Sequence, residues 1–347
     1  MSEYKGIKGF QVQTRSEDPG PTEAQSGDFY YNSSTGEFKN IVSGGAPIAT
    51  WASGGNLNQS RAQGGQAGST LSAGQLSGGG AYSPGISYAQ TEQYNGTSWT
   101  EVNDLNSPRS YGTGGGTQSG AIYVSGYMAP SPGPAGYRDN VETWDGSSWT
   151  EVAEVNTACY QAGGNGATSS AVMKFGGEAP GASPSKNNGK TELWNGSSWT
   201  EANDLNTART QLAPFGTWTS QMGASGYRGT PAGRTSDSET WDGTSWTEVA
   251  EPNGGTIEGR MGAGVDSTAG VIFGGRASPT YYSLTEIWDG TSWTETADMA
   301  TARYNGTGIG STASALAAGG VTSPGATVTT TEEFFGADFV IKTVTTS

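Results

Sequence analysis

The chain has 347 residues and a formal net charge of −15 at pH 7, with 57 glycines, one cysteine and no histidine. This acidic balance excludes nucleic-acid binding, which needs Lys and Arg side chains to neutralise phosphates. The composition also removes histidine as a general base or metal ligand, and it leaves no thiol pair for a disulfide. We see no secretory signal and no apolar run long enough for a membrane helix, so we expect no membrane insertion.

Residues 1–47 are predicted to form a small N-terminal module that is separate from the rest of the chain. Within it, Gly27–Lys39 places a Gly-containing turn between two aromatic segments, which predicts a β-hairpin. Ser43–Pro47 has the composition of a short joint. We therefore place the domain boundary after residue 47 and assign residues 48–347 to a second, larger domain.

A segment of eleven residues recurs five times in the larger domain, with the core Glu-x-Tyr/Trp-Asn/Asp-Gly-Thr/Ser-Ser-Trp-Thr-Glu. The Asn-Gly or Asp-Gly pair between two aromatic arms predicts a β-hairpin, because tight hairpin turns need a positive φ that Gly supplies. The copies are spaced by 47 or 50 residues, which predicts a unit of a few strands that must stack on copies of itself. The repeated tryptophans are Trp99, Trp149, Trp199, Trp246 and Trp293.

Each hairpin is followed by a short tail that recurs from unit to unit. A Gly/Ala-rich strand comes next, and then a hydrophobic strand that ends in small residues, such as Gly270–Gly275. A loop of variable length then leads into the next hairpin. This order gives four strands per repeat and predicts an all-β fold built from propeller blades. In most units the tail ends in an arginine, whereas Cys159 stands at that position in one unit; the arginines are Arg61, Arg109, Arg209, Arg260 and Arg303.

The chain contains six sets of first-to-third strands but seven candidates for a fourth strand. Trp51 lies ten residues before Arg61, in the phase of the repeat, and Phe339 lies seven residues after Glu332, as each repeat tryptophan follows its glutamate. We favour six four-stranded blades in which Trp51 completes the last one, because this closure removes open sheet edges. Residues 337–347 would then be an extra strand or contact arm, and seven blades are the alternative.

This unit resembles the repeat of Kelch-type β-propellers over roughly residues 49–340. The shared features are an arginine that opens the unit, an aromatic–Asp/Asn pair in the third strand, a tryptophan in the fourth, and a Gly-Gly pair that closes the second, at Gly176-Gly177, Gly274-Gly275 and Gly319-Gly320. The linker before the tryptophan is shorter than the usual Kelch linker, and Ser69–Gly74 is a poor hydrophobic second strand. The turn is also similar to the aspartate box of sialidase propellers, but its spacing differs, so that activity is not transferred.

A glutamate recurs at one phase of every unit, and we expect the unit's arginine to bind it or a nearby loop carbonyl. A charge repeated at equivalent positions of a stacked fold is typical of a buried partner, because a buried unpaired charge is costly. Where Cys159 replaces the arginine, the glutamate should be solvated or bound differently. The glutamates are Glu92, Glu142, Glu192, Glu239, Glu286 and Glu332.

The repeated tryptophans are predicted to pack between adjacent blades, because the repeat keeps them whatever the neighbouring loops do. The functional alternative is a ring of aromatic platforms on which sugars stack.

The loops between second and third strands are the most variable part of the repeat, and a constant scaffold with variable loops on one face favours a binding role for those loops. The Kelch resemblance implies the same face. We therefore predict ligand or partner contacts at the tyrosines and arginines of these loops: Tyr82, Tyr88, Tyr127, Tyr137, Arg138, Tyr227, Arg228, Arg234, Arg276, Tyr281 and Tyr282.

The N-terminal segments Lys5–Phe10 and Tyr30–Lys39, together with the near-identical repeats, resemble virion proteins of marine tailed bacteriophages. The resemblance implies a tail fibre, tail spike or capsid-surface protein that is assembled in the host cytoplasm and carried on the virion in several copies. The N-terminal module would bind other virion proteins. The propeller would bind a glycan or an outer-membrane protein of the host surface.

Two other functions remain open from the sequence: a decoration or adaptor protein that contacts only other virion proteins, and a glycan depolymerase. The acidic residues lie at equivalent positions of the repeats, which is typical of a scaffold, so we predict no catalytic residue, no enzyme activity and no cofactor. The acidity favours solubility in a salty medium over Ca²⁺ binding by acidic turns, so we predict no metal site.

Overall fold

The computed structural model describes residues 13–16, 29–42, 49–82, 85–129, 136–181, 186–336 and 340–343. All the helix or strand structure in these residues is β-strand, which confirms the all-β fold class. The chain divides into two compact units. One unit comprises Met1–Ala49 with Gly336–Ser347, and the other comprises Thr50–Phe335.

The described residues of the first unit form one four-stranded sheet, with the strands in the order Gln13–Arg15, Phe29–Asn32, Glu37–Val42 and Val340–Thr343. The two central strands are an antiparallel hairpin, and the turn residue Gly36 has a φ of 73°. The C-terminal strand pairs with Glu37–Val42. The sequence-based assignment placed this strand in the larger domain, residues 48–347. The structure instead places it in the N-terminal unit, where it covers an edge of the hairpin.

The second unit contains six four-stranded antiparallel sheets in its described residues, numbered here as blades 1 to 6. Neighbouring strands of each blade follow the order first, second, third, fourth. The strands are, in blade 1, Gly65–Ala67, Gly74–Ser77, Thr91–Tyr94 and Trp99–Val102; in blade 2, Thr113–Thr117, Gly120–Tyr127, Tyr137–Trp144 and Trp149–Val152; in blade 3, Gly163–Thr168, Ala171–Phe175, Thr191–Trp194 and Trp199–Ala202; in blade 4, Ala213–Thr217, Ser220–Tyr227, Arg234–Trp241 and Trp246–Val249; in blade 5, Met261–Asp266, Ala269–Phe273, Thr285–Trp288 and Trp293–Glu295; in blade 6, Thr307–Gly310, Ser314–Ala318, Thr331–Phe335 and Thr50–Ser53.

The first strands of consecutive blades contact one another, and the first strand of blade 6 contacts that of blade 1. The sheets therefore form a closed ring with the first strands innermost. Blade 6 combines both ends of the unit, because Thr50–Ser53 pairs with Thr331–Phe335 and sets Trp51 opposite Phe334. The alternative residue for this position, Phe339, lies outside the described residues.

Short two-residue strand pairs extend the loops between second and third strands in three blades. They are Gly80–Ala81 with Ile86–Ser87, Arg276–Ala277 with Thr280–Tyr281, and Val321–Thr322 with Ala326–Thr327. Blade 1 also corrects the sequence-based assignment of its second strand. That strand is Gly74–Ser77, and it begins where the predicted segment Ser69–Gly74 ends.

The repeat hairpins owe their geometry to the Asp-Gly and Asn-Gly turns. In blade 2 the carboxylate of Asp145 accepts hydrogen bonds from the amides of Ser147 and Ser148, each at 2.8 Å, and Gly146 has a φ of 96°. Asn95 accepts the equivalent amides of Thr97 and Ser98 in blade 1. Because Asp and Asn both satisfy these turn amides, the repeat tolerates either residue there.

The repeated tryptophans lie between blades, as the repeat predicts. Trp149 is 6% exposed, and its Nε1 donates to Thr91 Oγ1 of blade 1 at 3.1 Å. Trp99 donates in the same way to Thr331 of blade 6. Each indole therefore adds a specific hydrogen bond to the apolar contact between neighbouring sheets.

Six buried ion pairs, one in each blade, hold the repeated glutamates. In blade 2, Arg109 Nη2 lies 2.5 Å from Glu142 Oε1, and both side chains are fully buried. The other carboxylate oxygen, Oε2, accepts the backbone amide of Asn106 at 2.7 Å and its side-chain amide at 2.9 Å. The pairs are Arg61–Glu92, Arg109–Glu142, Lys174–Glu192, Arg209–Glu239, Arg260–Glu286 and Arg303–Glu332.

Blades 3 and 5 supply the cation from other sequence positions. In blade 3, Lys174 of the second strand reaches Glu192 Oε1 at 2.7 Å, so that carboxylate is bound differently, as the presence of Cys159 predicts. In blade 4, the residue after the repeat arginine, Thr210, forms a backbone bridge with Tyr227. The equivalent bridge of blade 5 joins Glu258 and Arg276. The position of the repeat arginine in blade 5 is therefore held by the residue before Glu258, buried Ile257. Arg260 is therefore not the equivalent of the other arginines, although its Nη1 still lies 2.6 Å from Glu286 Oε2.

Candidate functional site

Six residues just before the first strands form a closed ring of backbone hydrogen bonds around the propeller axis. Each amide donates to the carbonyl of the equivalent residue in the preceding blade, at distances of 2.8 to 3.1 Å. All six have a φ between 55° and 63°, the left-handed region that non-glycine residues rarely adopt. Strain of this kind is characteristic of functional sites and switch regions. The ring consists of Gln63, Tyr111, Gln161, Gln211, Gly259 and Asn305.

The same six residues line a cup of about 90 Å³ at the axis. Four of these six side chains are neutral amides, and the cup is also lined by Arg260, whose guanidinium group is paired with Glu286. Further along the first strands, Gln66 Nε2 of blade 1 donates to the carbonyl of Gly164 in blade 3 at 2.7 Å. Thr113 donates to the same carbonyl at 2.9 Å. Gln66 and Thr113 line the cup as well. Because the ring residues precede the first strands, and each first strand begins beside the end of the antiparallel second strand, the ring lies on the face that carries the loops between second and third strands.

Four tyrosines of blades 2 and 3 form one aromatic group on this face, named here the Tyr160 cluster. The Tyr160 ring lies 5.4 Å from Tyr111, 5.5 Å from Tyr127 and 5.3 Å from Tyr137, measured between centroids. Glu178 accepts the hydroxyl of Tyr137 at 2.9 Å and that of Tyr160 at 2.8 Å. The cluster connects the outer loop residues to Tyr111 of the backbone ring.

A second group, the Arg276 cluster, lies at the rim formed by blades 4, 5, 6 and 1. The guanidinium of Arg276 stacks 4.2 Å from the centroid of Tyr304 and donates to its hydroxyl at 3.0 Å. Tyr82 and Tyr281 pack edge-on against Tyr304, at 6.2 and 5.4 Å between ring centroids. Glu258 completes the cluster, because it accepts Arg276 Nη2 at 2.9 Å and Arg234 Nη2 at 3.0 Å.

The local environment raises the pKa of the tyrosines at the centre of both clusters, Tyr160 and Tyr304, and that of Arg276. Burial and the neighbouring Glu178 raise the pKa of Tyr137 to about 12 and that of Tyr160 further. Burial is also the first cause of the raised pKa of Tyr304. For Arg276, burial opposes the charged form, but the hydrogen bonds to Glu258 and the tyrosines outweigh it and raise the pKa. The face thus presents aromatic rings and a permanent cation at Arg276.

The remaining predicted contact residues lie outside these two clusters. Tyr88 accepts a hydrogen bond from Gln59 at 3.3 Å, and Arg228 forms an ion pair with Asp237. Tyr227 forms an isolated antiparallel β-bridge with Thr210 through backbone hydrogen bonds. Arg138 contacts the sulfur of Met128 at 3.3 Å. Tyr282 is half-buried, and its amide donates to the carbonyl of Gly275.

The predicted loop residues are less exposed than their positions suggest. Of the eleven, Tyr82 alone is in the exposed class, at 43%, and the other ten are half-buried. The cause is mutual stacking of the rings and the hydrogen bonds that two carboxylates accept, those of half-buried Glu178 and buried Glu258. Their role in binding remains a prediction.

Sequence reasoning missed several residues that assemble this face. Tyr160 and Tyr304 directly follow the repeat position held by Cys159 and Arg303, and Tyr111 follows Arg109 by two residues. The signal was available, because these positions vary between units whose neighbouring residues are constant. Glu258 was hidden by the longer tail of blade 5.

No group of three or more Cys, Asp or Glu side chains that could hold a metal ion occurs among the described residues. The acidic turns use their carboxylates on backbone amides instead, and the serine hydroxyl and amides that bind Asp145 lower its pKa to about 2. In the part of the chain that the structure describes, no helix is long and apolar enough to cross a membrane.

Comparison with known proteins shows the fold but no family. No protein-family model matches the chain, and no curated protein does. Among solved structures, that of YjhT is similar with a TM-score of 0.64 and 14% identity, over 80% of this chain and 95% of that chain. The chain has a Kelch-like β-propeller fold. At this identity the similarity concerns the fold alone.

Proposed function

We propose that this protein is a non-enzymatic virion surface protein whose propeller binds the host surface through the face around the cup. The observation that supports this proposal most directly is the concentration of tyrosine and arginine around the cup, in the Tyr160 and Arg276 clusters. Tyr and Arg are the residue types enriched in binding interfaces.

The division of charges supports a scaffold with one binding face. The repeated glutamates are buried and neutralised by a cation within their own blade, so these carboxylates are committed to stability. The variable residues lie instead in loops and strand ends around the cup. An arrangement with constant packing and a variable rim is the usual division of labour in repeat proteins.

The N-terminal unit supplies the attachment to the particle in this proposal. Its similarity to the leaders of phage virion proteins motivates this role, and several copies per particle would multiply weak contacts through avidity. In the adaptor alternative the same face would contact another virion protein, and in the depolymerase alternative it would cleave a glycan. Both alternatives serve as distinct outcomes of the experiment below.

The test replaces the loop Arg276–Leu284 by a short Gly/Ser turn in the full-length protein. The comparison variant has an equivalent replacement in the turn between the first and second strands of blade 2, Thr117–Gly120. Folding is checked by thermal unfolding, and attachment to host cells and to particles is measured separately. We expect the first variant to lose cell attachment and keep particle attachment, whereas the second keeps both.

Unchanged cell attachment in a folded first variant would remove this face from the proposal. Loss of particle attachment alone would favour the adaptor function. Release of reducing sugar ends from host glycan by the unaltered protein would establish a depolymerase.

A further inference from the structure

We propose that the rim of the cup at Arg234 and Arg276 binds an acidic saccharide, in which a carboxylate, sulfate or phosphate substituent meets the guanidinium groups and a sugar ring lies on the adjacent tyrosines. This inference deepens the proposed function by naming the ligand class, and it rests on that function for its biological setting. The distribution of charge and the geometry of the Arg276 cluster both favour this site.

The propeller separates its cations into two populations. One population is buried and pairs with the repeated glutamates. Every other Lys or Arg of residues 50–335 lies in a loop between second and third strands or at its ends: Arg138, Lys186, Lys190, Arg228, Arg234 and Arg276. The same loops contain only three acidic residues, Asp139, Glu178 and Asp237, although the whole chain carries a charge of −15.

This distribution makes the loops the positive part of an acidic molecule. An anionic ligand is repelled by the acidic fourth strands and turns and is attracted to the loops, and a cleft lined by one sign of charge focuses that attraction. The Arg276 cluster shares in this excess, because Arg234 and Arg276 pair with the single carboxylate of Glu258. One positive charge is left without a counter-ion within this cluster.

The geometry around this charge suits a sugar. Arg234 has a side chain that is 26% exposed and uses one terminal nitrogen on Glu258, so it retains donors toward solvent. Tyr82, 43% exposed, stands beside Tyr304 and offers an aromatic face. Aromatic rings of this kind combine a large apolar surface with a polar end.

The cup supplies the neutral hydrogen bonds that sugar hydroxyls require. Gly259 of the cup is the sequence neighbour of Glu258, and Asn305 is the neighbour of Tyr304, so the cluster borders the cup directly. Gly259 and Asn305 are close neighbours in the ring, since a Cβ at Gly259 would lie 2.4 Å from Asn305 Oδ1. Gln211 Oε1, also at the cup, is buried without a hydrogen-bond partner. At about 90 Å³ the cup holds a substituent rather than a whole drug-sized ligand.

The experiment titrates the full-length protein with two matched pairs of probes in a calorimeter. The pairs are oligogalacturonate with its methyl ester, and dextran sulfate with dextran. Each pair keeps the sugar skeleton and removes the charge, and the two pairs distinguish carboxylate from sulfate as the anion. We expect binding of at least one charged probe, weaker binding at higher salt because the attraction is screened, and no measurable binding of its uncharged partner.

Arg234→Gln is the deciding variant, because Glu258 keeps its pair with Arg276 and the fold is retained. We expect about a tenfold loss of affinity for the charged probe, the size of one charge-assisted hydrogen bond. The matched control is Lys186→Gln, which removes the same charge from an exposed position in a loop of blade 3 and should keep the affinity within about twofold. Thermal unfolding of both variants verifies the fold.

Equal binding of charged and uncharged probes, absence of binding to both charged probes, or an equal loss in both variants would overturn the proposal. Its failure is distinguishable from failure of the proposed function. Host-cell attachment that survives Arg234→Gln would leave the function standing without an acidic saccharide. Charge-dependent binding by a protein that attaches to no host cell would leave the site standing without the function.

Discussion

Three different sequence positions supply the cations that neutralise the buried glutamates. Four blades use the arginine that precedes the first strand, blade 5 uses Arg260 three positions later, and blade 3 uses Lys174 from its second strand. The repetition of Glu predicted a buried partner, because an isolated buried carboxylate is costly. The identity of the partner in blade 3 was not predictable, since Lys174 lies between apolar residues in a strand that the pattern assigns wholly to the core.

Blade 3 provides a direct test of this substitution of cations. Lys174→Met should leave Glu192 buried without a charge partner and lower the free energy of unfolding by about 3–5 kcal/mol. Cys159→Arg in the same chain should restore much of that loss, because the arginine occupies the position used in four other blades. Urea unfolding of the wild type and of the single and double variants measures both effects.

Two results would contradict this account. One is a stability of Lys174→Met equal to that of the wild type, which would mean that the ion pair contributes nothing. The other is a double variant no more stable than Lys174→Met, which would mean that blade 3 cannot accommodate the arginine seen elsewhere.

The elements were predictable to different degrees, for physical reasons that differ between them. The hairpins followed from Asp-Gly and Asn-Gly, because only a few residue pairs satisfy that turn. The second strand of blade 1 was predicted at the wrong residues, because Gly74–Ser77 carries little hydrophobic pattern. The burial of this strand comes from neighbouring blades. The candidate site was predictable only in its loops. Tyr160 and Glu258 belong to connections between blades, and their proximity depends on the closed ring.

The interface between blades can be tested through two tryptophans of unequal burial. Trp149 is buried and bonds to Thr91 of the preceding blade, whereas Trp51 is half-buried, with its Nε1 bonded to Thr285. Trp149→Ala should cost about 3–5 kcal/mol of unfolding free energy, and Trp51→Ala should cost less. Chemical denaturation measures the two values. Wild-type stability of Trp149→Ala with loss of saccharide binding would instead assign this ring to ligand stacking.

At the scale of the whole molecule, closure is achieved by a strand from the far end of the chain. Thr50–Ser53 fills the fourth position of blade 6, and Trp51 packs 5.0 Å from the Phe273 ring and 5.2 Å from the Phe334 ring, between centroids. Without it, Thr331–Phe335 would present an unpaired edge, which is a template for aggregation. The ring of backbone hydrogen bonds also closes the propeller near its axis. Closure therefore depends on contacts at the axis and on the fourth strand of blade 6 at the outside.

Two truncations separate these contributions to closure. Residues 50–335 keep all four strands of blade 6, and residues 54–335 lack only the fourth. We expect the longer fragment to unfold cooperatively and remain monomeric, because every blade is complete. The shorter fragment should unfold at a lower temperature and associate with itself, because it exposes both the edge of Thr331–Phe335 and the surface of Phe273 and Phe334. Calorimetry and light scattering measure these properties, and identical behaviour of the two fragments would show that the ring at the axis suffices to hold blade 6 in place.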